Sequence, residues 1–143
     1  GLGEPVFDKL DAQLAKAMLS IGAIKGIEFG KGFDVADMFG STNNDTAKAC
    51  ENSVDFVTNN AGGILGGISN GNTIEFSVAV KPVPSIFKVQ NAISKTENGY
   101  TNTELQIKGR HDVCLCPRIV PVVEAMTNIV LADMILLNRA AKI

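Results

Sequence analysis

The residues with the clearest chemical potential lie between Gly109 and Arg118. This stretch contains the chain's only histidine, an arginine on each side of it, one acid and two of the three cysteines. Arg110 could hold an anion or an electron-rich ring, because a guanidinium binds phosphate bidentately. Asp112 could move a proton if a bound ligand buried it. A simpler interpretation is a surface ion pair between Arg110 and Asp112, which would contribute about 0–1 kcal/mol to stability.

The cysteines do not favour a zinc site. Cys50, His111, Cys114 and Cys116 are suitable ligand types. However, no CxxC knuckle is present and the HxxCxC run is cramped. Cys114 and Cys116 lie too close along a strand or loop to bridge readily, so we interpret all three cysteines as free thiols in a reducing compartment. We therefore predict no metal site, core or strand positions for the last two cysteines, and a cytoplasmic protein.

Three further segments could contribute to the same site. Residues 62–71 contain five glycines, which leave backbone N–H groups open to a phosphate or a flat ring, although tight turns and close packing explain them equally well. In the segment 81–85, two prolines fix the backbone and hold Lys81 and Ser85 in place. The bend at Gly22-Ala23 could also admit a ligand, although a helix-ending glycine explains it better. Such segments could converge on an anionic ligand.

The elements that position these residues follow from the apolar periodicity. An amphipathic helix is predicted from Phe7 to Ile21, and a broadly apolar, mostly buried helix over 121–137. Strands are predicted over 23–29, 73–80 and 104–107, and mobile loops near 40–60 and 87–102. We therefore predict one α+β domain over residues 1–143, with an antiparallel sheet packed against two long helices.

Charge and hydropathy argue against two classes of partner. The chain has 13 basic and 15 acidic residues, a formal charge of −2, and no block of like charge that would favour nucleic acid or an anionic membrane surface. The longest apolar-rich stretch is interrupted by Glu124, Asn128 and Asp133. It therefore falls short of the roughly 20 apolar residues that span a bilayer. We predict no nucleic-acid partner and no membrane.

Four blocks of the sequence resemble the chorismate synthase family. They are residues 1–12, residues 61–71, Lys81-Pro82 and residues 109–114, and their order and spacing cover nearly the whole chain. The resemblance implies the C-terminal part of the enzyme, with a missing N-terminal part that carries further basic and histidine residues of the active site. It also implies that the fold is part of a β-α-β sandwich and that the full-length enzyme is a homotetramer.

The family reaction converts 5-enolpyruvylshikimate 3-phosphate to chorismate by 1,4-anti elimination of phosphate, and it requires reduced FMN. The resemblance implies that Asp112 relays a proton near the flavin and that His111 orients or packs. Whether the enzyme reduces its own flavin with NADP or takes up reduced FMN stays open. The flavin contacts implied by the resemblance are Gly22, Ala23, Gly66, Lys81, Pro82, Val83, Pro84, Ser85 and Arg110.

Two departures from the family pattern affect the site. Val83 and Pro84 stand where the family usually has hydroxyl residues, so backbone contacts and Ser85 are expected to replace side-chain hydrogen bonds there. Val113 replaces a common proline, which we expect to be mild. Arg118 and Lys108 are interpreted as solvated charges. The alternative function is a non-catalytic assembly domain whose C-terminal helix forms an oligomer interface.

Overall fold

The computed structural model describes residues 1–142, which form three α-helices, one 3₁₀-helix and eight strands. The helices are α1 (Leu10–Leu19), α2 (Gly40–Asn43) and α3 (Cys116–Ala141), and the 3₁₀-helix covers Gly32–Asp37. The strands are β1 (Ile24–Phe29), β2 (Ala47–Cys50), β3 (Ser53–Phe56), β4 (Ile64–Leu65), β5 (Ile68–Ser69), β6 (Phe76–Val80), β7 (Gln90–Thr96) and β8 (Gly99–Leu105). The predicted α+β class is confirmed.

Helix α1 buries one face and begins later than predicted. Leu10, Leu14 and Met18 are fully buried, because their four-residue spacing places them on one face of the helix. The predicted start at Phe7 is wrong, because Lys9 has φ −56° and ψ 148°, an extended conformation that an α-helix cannot include. Phe7 is consequently 86% exposed. With only ten residues, α1 is not the long helix that was predicted.

The strands form four separate two-stranded antiparallel sheets instead of one sheet. The central pair is β1 with β6, in which Phe29 lies opposite Phe76 and Ile24 opposite Val80, with a register irregularity after Ile24. Both strands match the prediction closely, and in β6 the alternating apolar residues specify strand conformation. Alternation does not specify the partner of a strand, and this is why the prediction of a single sheet failed.

Two hairpins occupy segments that were predicted as loops. Strands β2 and β3 pair within 47–56, and β7 and β8 pair within 90–105. Nearly every residue of these strands is exposed or half-buried, so neither hairpin has the apolar alternation by which strands are predicted. The loop conformation was therefore wrong for the strand residues within 40–60 and 87–102, while the mobility of these segments stays a prediction. Residues 104 and 105, which were predicted as strand, do lie in β8.

Helix α3 is longer and far more exposed than predicted. It has 26 residues and starts before residue 121 because Pro117 suits the first turn. Met134 is its one buried residue, so the prediction of a mostly buried helix is wrong. Its exposed apolar side chains are Val120, Val122, Ile129, Ile135, Leu136 and Leu137.

By length and composition, α3 could also cross a membrane. This is weak support for a membrane location, because the core helix of a soluble protein meets the same test. The sequence argument was that Glu124, Asn128 and Asp133 interrupt the apolar stretch too often for it to span a bilayer. The helix is nevertheless long and apolar enough to do so. The absence of a membrane partner stays a prediction.

The core lies where α1, α3 and the glycine-rich segment meet. Leu10, Leu14, Ile64 and Met134 form the buried cluster. Because Ile64 lies within residues 62–71, the core anchors that segment directly against both helices. The partly buried residues packed around this cluster are Leu2, Phe29, Ile74, Val130 and Leu131.

Candidate functional site

The proline-rich segment and the motif before α3 line one cleft of about 370 Å³. This size is at the small end of ligand pockets, roughly 300–1,000 Å³. Two of the segments singled out from the sequence therefore meet in space. The lining residues are Pro82, Val83, Ser85, Ile86, Phe87, His111, Asp112 and Val113.

His111 is held on one side of this cleft by two contacts. Its ring meets the ring of Phe87 edge-on, with the centroids 4.9 Å apart. Its Nε2 lies 3.2 Å from the carbonyl oxygen of Ile107, within hydrogen-bonding distance. These contacts are those of an orienting or packing residue. Phe87 was missed in the sequence, where a lone aromatic residue within a segment predicted as loop gave no periodic signal.

Asp112 pairs with Arg118 and not with Arg110. Nη1 of Arg118 donates to Oδ2 of Asp112 at 3.3 Å, and the two side chains are 68% and 40% exposed. The interpretation of Arg118 as a solvated charge was therefore incomplete, since the first turn of α3 brings its guanidinium back to the carboxylate. Arg110 is exposed, and within residues 1–142 it forms no ion pair.

The Gly22-Ala23 bend lies directly beside the start of the proline-rich segment. The N–H of Lys81 donates to the carbonyl oxygen of Ala23 at 2.8 Å, which extends the pairing of β1 with β6. Ala23 has a φ of 73°, an uncommon conformation for a residue with a side chain. The Gly22 position is open, since a Cβ there would meet nothing within 4 Å. Gly22, Ala23 and Lys81 are thus neighbours, while their contacts with a flavin stay a prediction.

Most of the glycine-rich segment is explained by close packing. A Cβ at Gly63 would lie 2.5 Å from the carbonyl oxygen of Thr73, and one at Gly67 would overlap the side chain of Lys9. Gly62 has similar close neighbours. Gly66 differs: it has a φ of 60° in the turn between β4 and β5, and a Cβ there would meet nothing within 4 Å. No other part of the described chain therefore covers the Cβ position of Gly66, so a ligand could approach the backbone there.

The three cysteines are placed differently from one another. Cys50 ends β2, and its Sγ donates to Asp55 Oδ2 at 3.0 Å, a bond that, together with burial, raises the pKa of the thiol. Cys114 and Cys116 are exposed, so their predicted core or strand positions are wrong. No group of three or more histidine, cysteine, aspartate or glutamate side chains in the described part of the chain could hold a metal ion.

The cleft has the composition of a site for a planar ligand. Val83, Ile86 and Phe87 supply apolar surface, whereas Ser85 and Asp112 supply a hydroxyl and a carboxylate. Ligand sites typically combine apolar walls with a few polar groups in this way. The flavin ring implied by the resemblance therefore fits the donor set, and Val83 contributes apolar contact where the family has a hydroxyl. The fold defines an α+β segment, and the cleft has the size and lining typical of a ligand site.

Comparison with known proteins defines the family. A sequence profile described as chorismate synthase matches residues 1–136, and the chain belongs to the chorismate synthase family. It is 56% identical over 139 residues to a chorismate synthase of Nitratidesulfovibrio vulgaris strain DP4, covering 97% of this chain and 37% of that protein. It is 53% identical over 138 residues to a chorismate synthase of Archaeoglobus fulgidus, covering 96% of this chain and 38% of that protein.

The fold is similar to that of a solved family structure. The match to a structure entitled "Crystal Structure of Chorismate Synthase" has a TM-score of 0.75 at 35% identity, and it covers 96% of this chain and 34% of the other. The chain thus spans little more than a third of the length of the proteins that it matches. The implied sandwich arrangement and the second long helix are not seen within residues 1–142.

Proposed function

We propose that this chain is part of a chorismate synthase and forms one wall of its active site. The observation that carries the proposal is the cleft in which residues 82–87 meet residues 111–113. Family membership supplies the reaction, the elimination of phosphate from 5-enolpyruvylshikimate 3-phosphate to give chorismate. The remaining, N-terminal part of the enzyme would supply the opposite wall.

The residues of the cleft are suited to holding reduced FMN. When bound, the flavin supplies electron density as phosphate leaves. Val83 and Phe87 offer apolar surface to a flat ring, and the Ser85 hydroxyl offers a hydrogen bond. Lys81 and Arg110 would bind anionic groups of the ligand, an ammonium as a point charge and a guanidinium bidentately. Backbone contacts would come from Gly22, Ala23, Gly66, Pro82 and Pro84.

Asp112 is the residue that we propose relays the proton lost from the substrate. Its carboxylate lines the cleft, and the ion pair with Arg118 restricts its orientation. Arg118 leaves one carboxylate oxygen free of this bond, since it donates only to Oδ2. The free oxygen could accept a proton while Oδ2 keeps the hydrogen bond from Arg118, although the carboxyl group then loses its charge. We place Arg118 in a positioning role.

Three further properties are proposed on the strength of family membership alone. The full-length enzyme is expected to be a homotetramer and to work in the cytoplasm. The reduced form of NADP, NADPH, would be the electron source if the enzyme reduces its own flavin. None of these depends on the cleft, so each needs its own measurement.

The proposal is tested by Asp112→Ala in the full-length enzyme. Turnover with reduced FMN supplied should fall by about 100-fold or more, the usual scale for a general acid–base group. The matched control is Glu97→Ala, which removes an exposed carboxylate from the turn between β7 and β8 and should leave turnover unchanged. Wild-type turnover in the Asp112 variant would contradict the assignment.

The exposed face of α3 favours a second candidate, a non-catalytic assembly domain. Ile129 and Leu136 are each 62% exposed, which suits an interface between subunits. Under this alternative, Leu136→Lys should change the oligomeric state measured by light scattering, and Asp112→Ala should leave the protein's properties unchanged. Loss of turnover in Asp112→Ala decides in favour of the enzyme.

A further inference from the structure

The proline-rich segment, residues 81–87, is anchored by a hydrogen bond at each end. At its start, the N–H of Lys81 donates to the carbonyl oxygen of Ala23 at 2.8 Å. At its end, Nε2 of Gln106 donates to the carbonyl oxygen of Phe87 at 2.8 Å. Within the described part of the chain, no hydrogen bond reaches the residues between these two anchors. The side chain of Gln106 therefore supplies the second of the two anchors for this wall of the cleft.

The segment between the two anchors is stiff, so the position of its far end depends on the second anchor. Pro82 and Pro84 each fix φ at about −65° and have no N–H to donate. Packing does not hold the far end, since Phe87 is 61% exposed. A stiff segment that loses one anchor pivots about the other. Without the bond from Gln106, the end that carries Phe87 would therefore move most.

The residue after Gln106 holds the opposite wall of the cleft. The carbonyl oxygen of Ile107 lies 3.2 Å from Nε2 of His111. Because a carbonyl oxygen can only accept, Nε2 must be the donor. The dipeptide Gln106-Ile107 thus bonds to Phe87 on one wall and to His111 on the other, and the rings of those two residues meet with their centroids 4.9 Å apart. This dipeptide sets the separation of the two walls.

The β7–β8 hairpin fixes this dipeptide in turn. Gln90, the first residue of β7, pairs with Leu105, the last residue of β8, so Gln106 leaves the hairpin at its base. The strands of the hairpin are exposed or half-buried along their whole length, and the hairpin therefore builds no core of its own. Its base, by contrast, carries the bonds to both walls. The hairpin thus supports the cleft.

We propose that Gln106 is a positioning residue for the flavin site and that it acts through Phe87. Its side chain holds the apolar surface of Phe87 at the separation from His111 that admits a flat ring. The inference rests on the proposed function, because it takes FMN as the ligand of the cleft. Loss of one hydrogen bond of this kind should weaken FMN binding by about 2- to 10-fold. Once the flavin is bound, proton transfer at Asp112 should proceed as before.

Gln106→Met in the full-length enzyme tests the proposal, because methionine has nearly the length of glutamine and no donor. The matched control is Gln90→Met, the same substitution in the other strand of the hairpin base, where the side chain forms no hydrogen bond within residues 1–142. Fluorescence titration gives the Kd of FMN, and turnover at varied reduced FMN gives kcat and the flavin KM. Gln106→Met should raise Kd and KM by about 2- to 10-fold with kcat and Tm unchanged, and Gln90→Met should change none of the four.

Three results would overturn the positioning role. They are wild-type FMN affinity in Gln106→Met, an equal loss of affinity in Gln90→Met, and a fall in kcat and Tm at an unchanged flavin KM, which is the pattern of a purely structural residue. The proposed function survives each of them if the wild-type enzyme binds FMN and Asp112→Ala loses turnover. A wild-type full-length enzyme that fails to bind FMN would overturn both.

Discussion

Gly62→Ala tests how the glycine-rich segment is used, because Gly62 lies at the junction of three chain segments. Its carbonyl oxygen accepts the N–H of Glu75 at 3.1 Å, and the carbonyl oxygen of Glu75 accepts the N–H of Gly30 at 3.0 Å. Gly30 follows β1 and Glu75 precedes β6, so this junction fixes one end of the central strand pair. The opposite end of the pair carries Ala23 and Lys81.

The magnitude follows from the backbone and from the space around it. Gly62 has a φ of 66°, and a side chain in the left-handed region costs about 1–2 kcal/mol. A more restricted unfolded chain offsets about 0.4–1 kcal/mol of this. The added Cβ would also overlap the Gly30 nitrogen and lie 2.6 Å from the Glu75 oxygen, and such overpacking costs about 1–3 kcal/mol.

Gly66→Ala is the matched control, because Gly66 has nearly the same φ, 60°, with nothing within 4 Å of its Cβ position. Both variants place a side chain in the left-handed region, and only in Gly62→Ala does the new Cβ overlap neighbouring backbone atoms. Denaturant unfolding of the two full-length variants should therefore differ by about 1–3 kcal/mol, the overpacking cost, with Gly62→Ala the less stable. Equal stability would refute the close-packing interpretation of Gly62.

Two smaller predictions concern charged groups. Burial alone would raise the pKa of Asp45, but the N–H groups of Ala61 and Asn60 and a threonine hydroxyl outweigh it and hold the pKa below the ordinary 3.8. The ionised carboxylate therefore stabilises the fold above that pH, and this contribution is lost as the pH falls through the lowered pKa. Asp45→Asn should consequently lower the free energy of unfolding by about 1–3 kcal/mol at neutral pH and by less in acid. Denaturant unfolding at several pH values measures this difference. Arg118→Ala removes an exposed ion pair worth at most about 1 kcal/mol, so turnover should fall by no more than about 5-fold; a loss as large as that of Asp112→Ala would show that the pair acts as a unit.

Sequence periodicity predicted the elements that bury one face. Leu10, Leu14 and Met18 repeat with the period of a helix, and the alternation from Ile74 to Val80 predicted β6. The start of α1 was missed because Lys9 takes an extended conformation, with ψ 148°, which its residue type does not signal. The β7–β8 hairpin was missed because its strands are solvated on both faces. Only backbone pairing defines it, and backbone pairing has no signature in side-chain type.

The candidate site was only partly predictable, for a related reason. The residue types of 81–85 and 109–114 indicated an anion site, but the cleft depends on distances that no local pattern encodes. Phe87 reaches His111 across the cleft, and Arg118 reaches Asp112 from the first turn of α3. The same holds for the glycine-rich segment. Whether Gly62 and Gly63 pack closely and whether Gly66 is open can be decided only when the positions of the neighbouring segments are known. Composition alone left these roles undecided.

The exposure of α3 contradicts its sequence pattern, and the contradiction supports the proposed function. Apolar residues such as Ile129 and Leu136 are exposed on the helix, whereas Met134 packs against α1 in the core. Contiguous apolar surface of this kind usually marks a surface that another element covers. The chain spans 37% of the chorismate synthase of Nitratidesulfovibrio vulgaris, so the longer family proteins contain ample chain to cover it. We therefore expect the apolar pattern of α3 to reflect burial in the full-length enzyme.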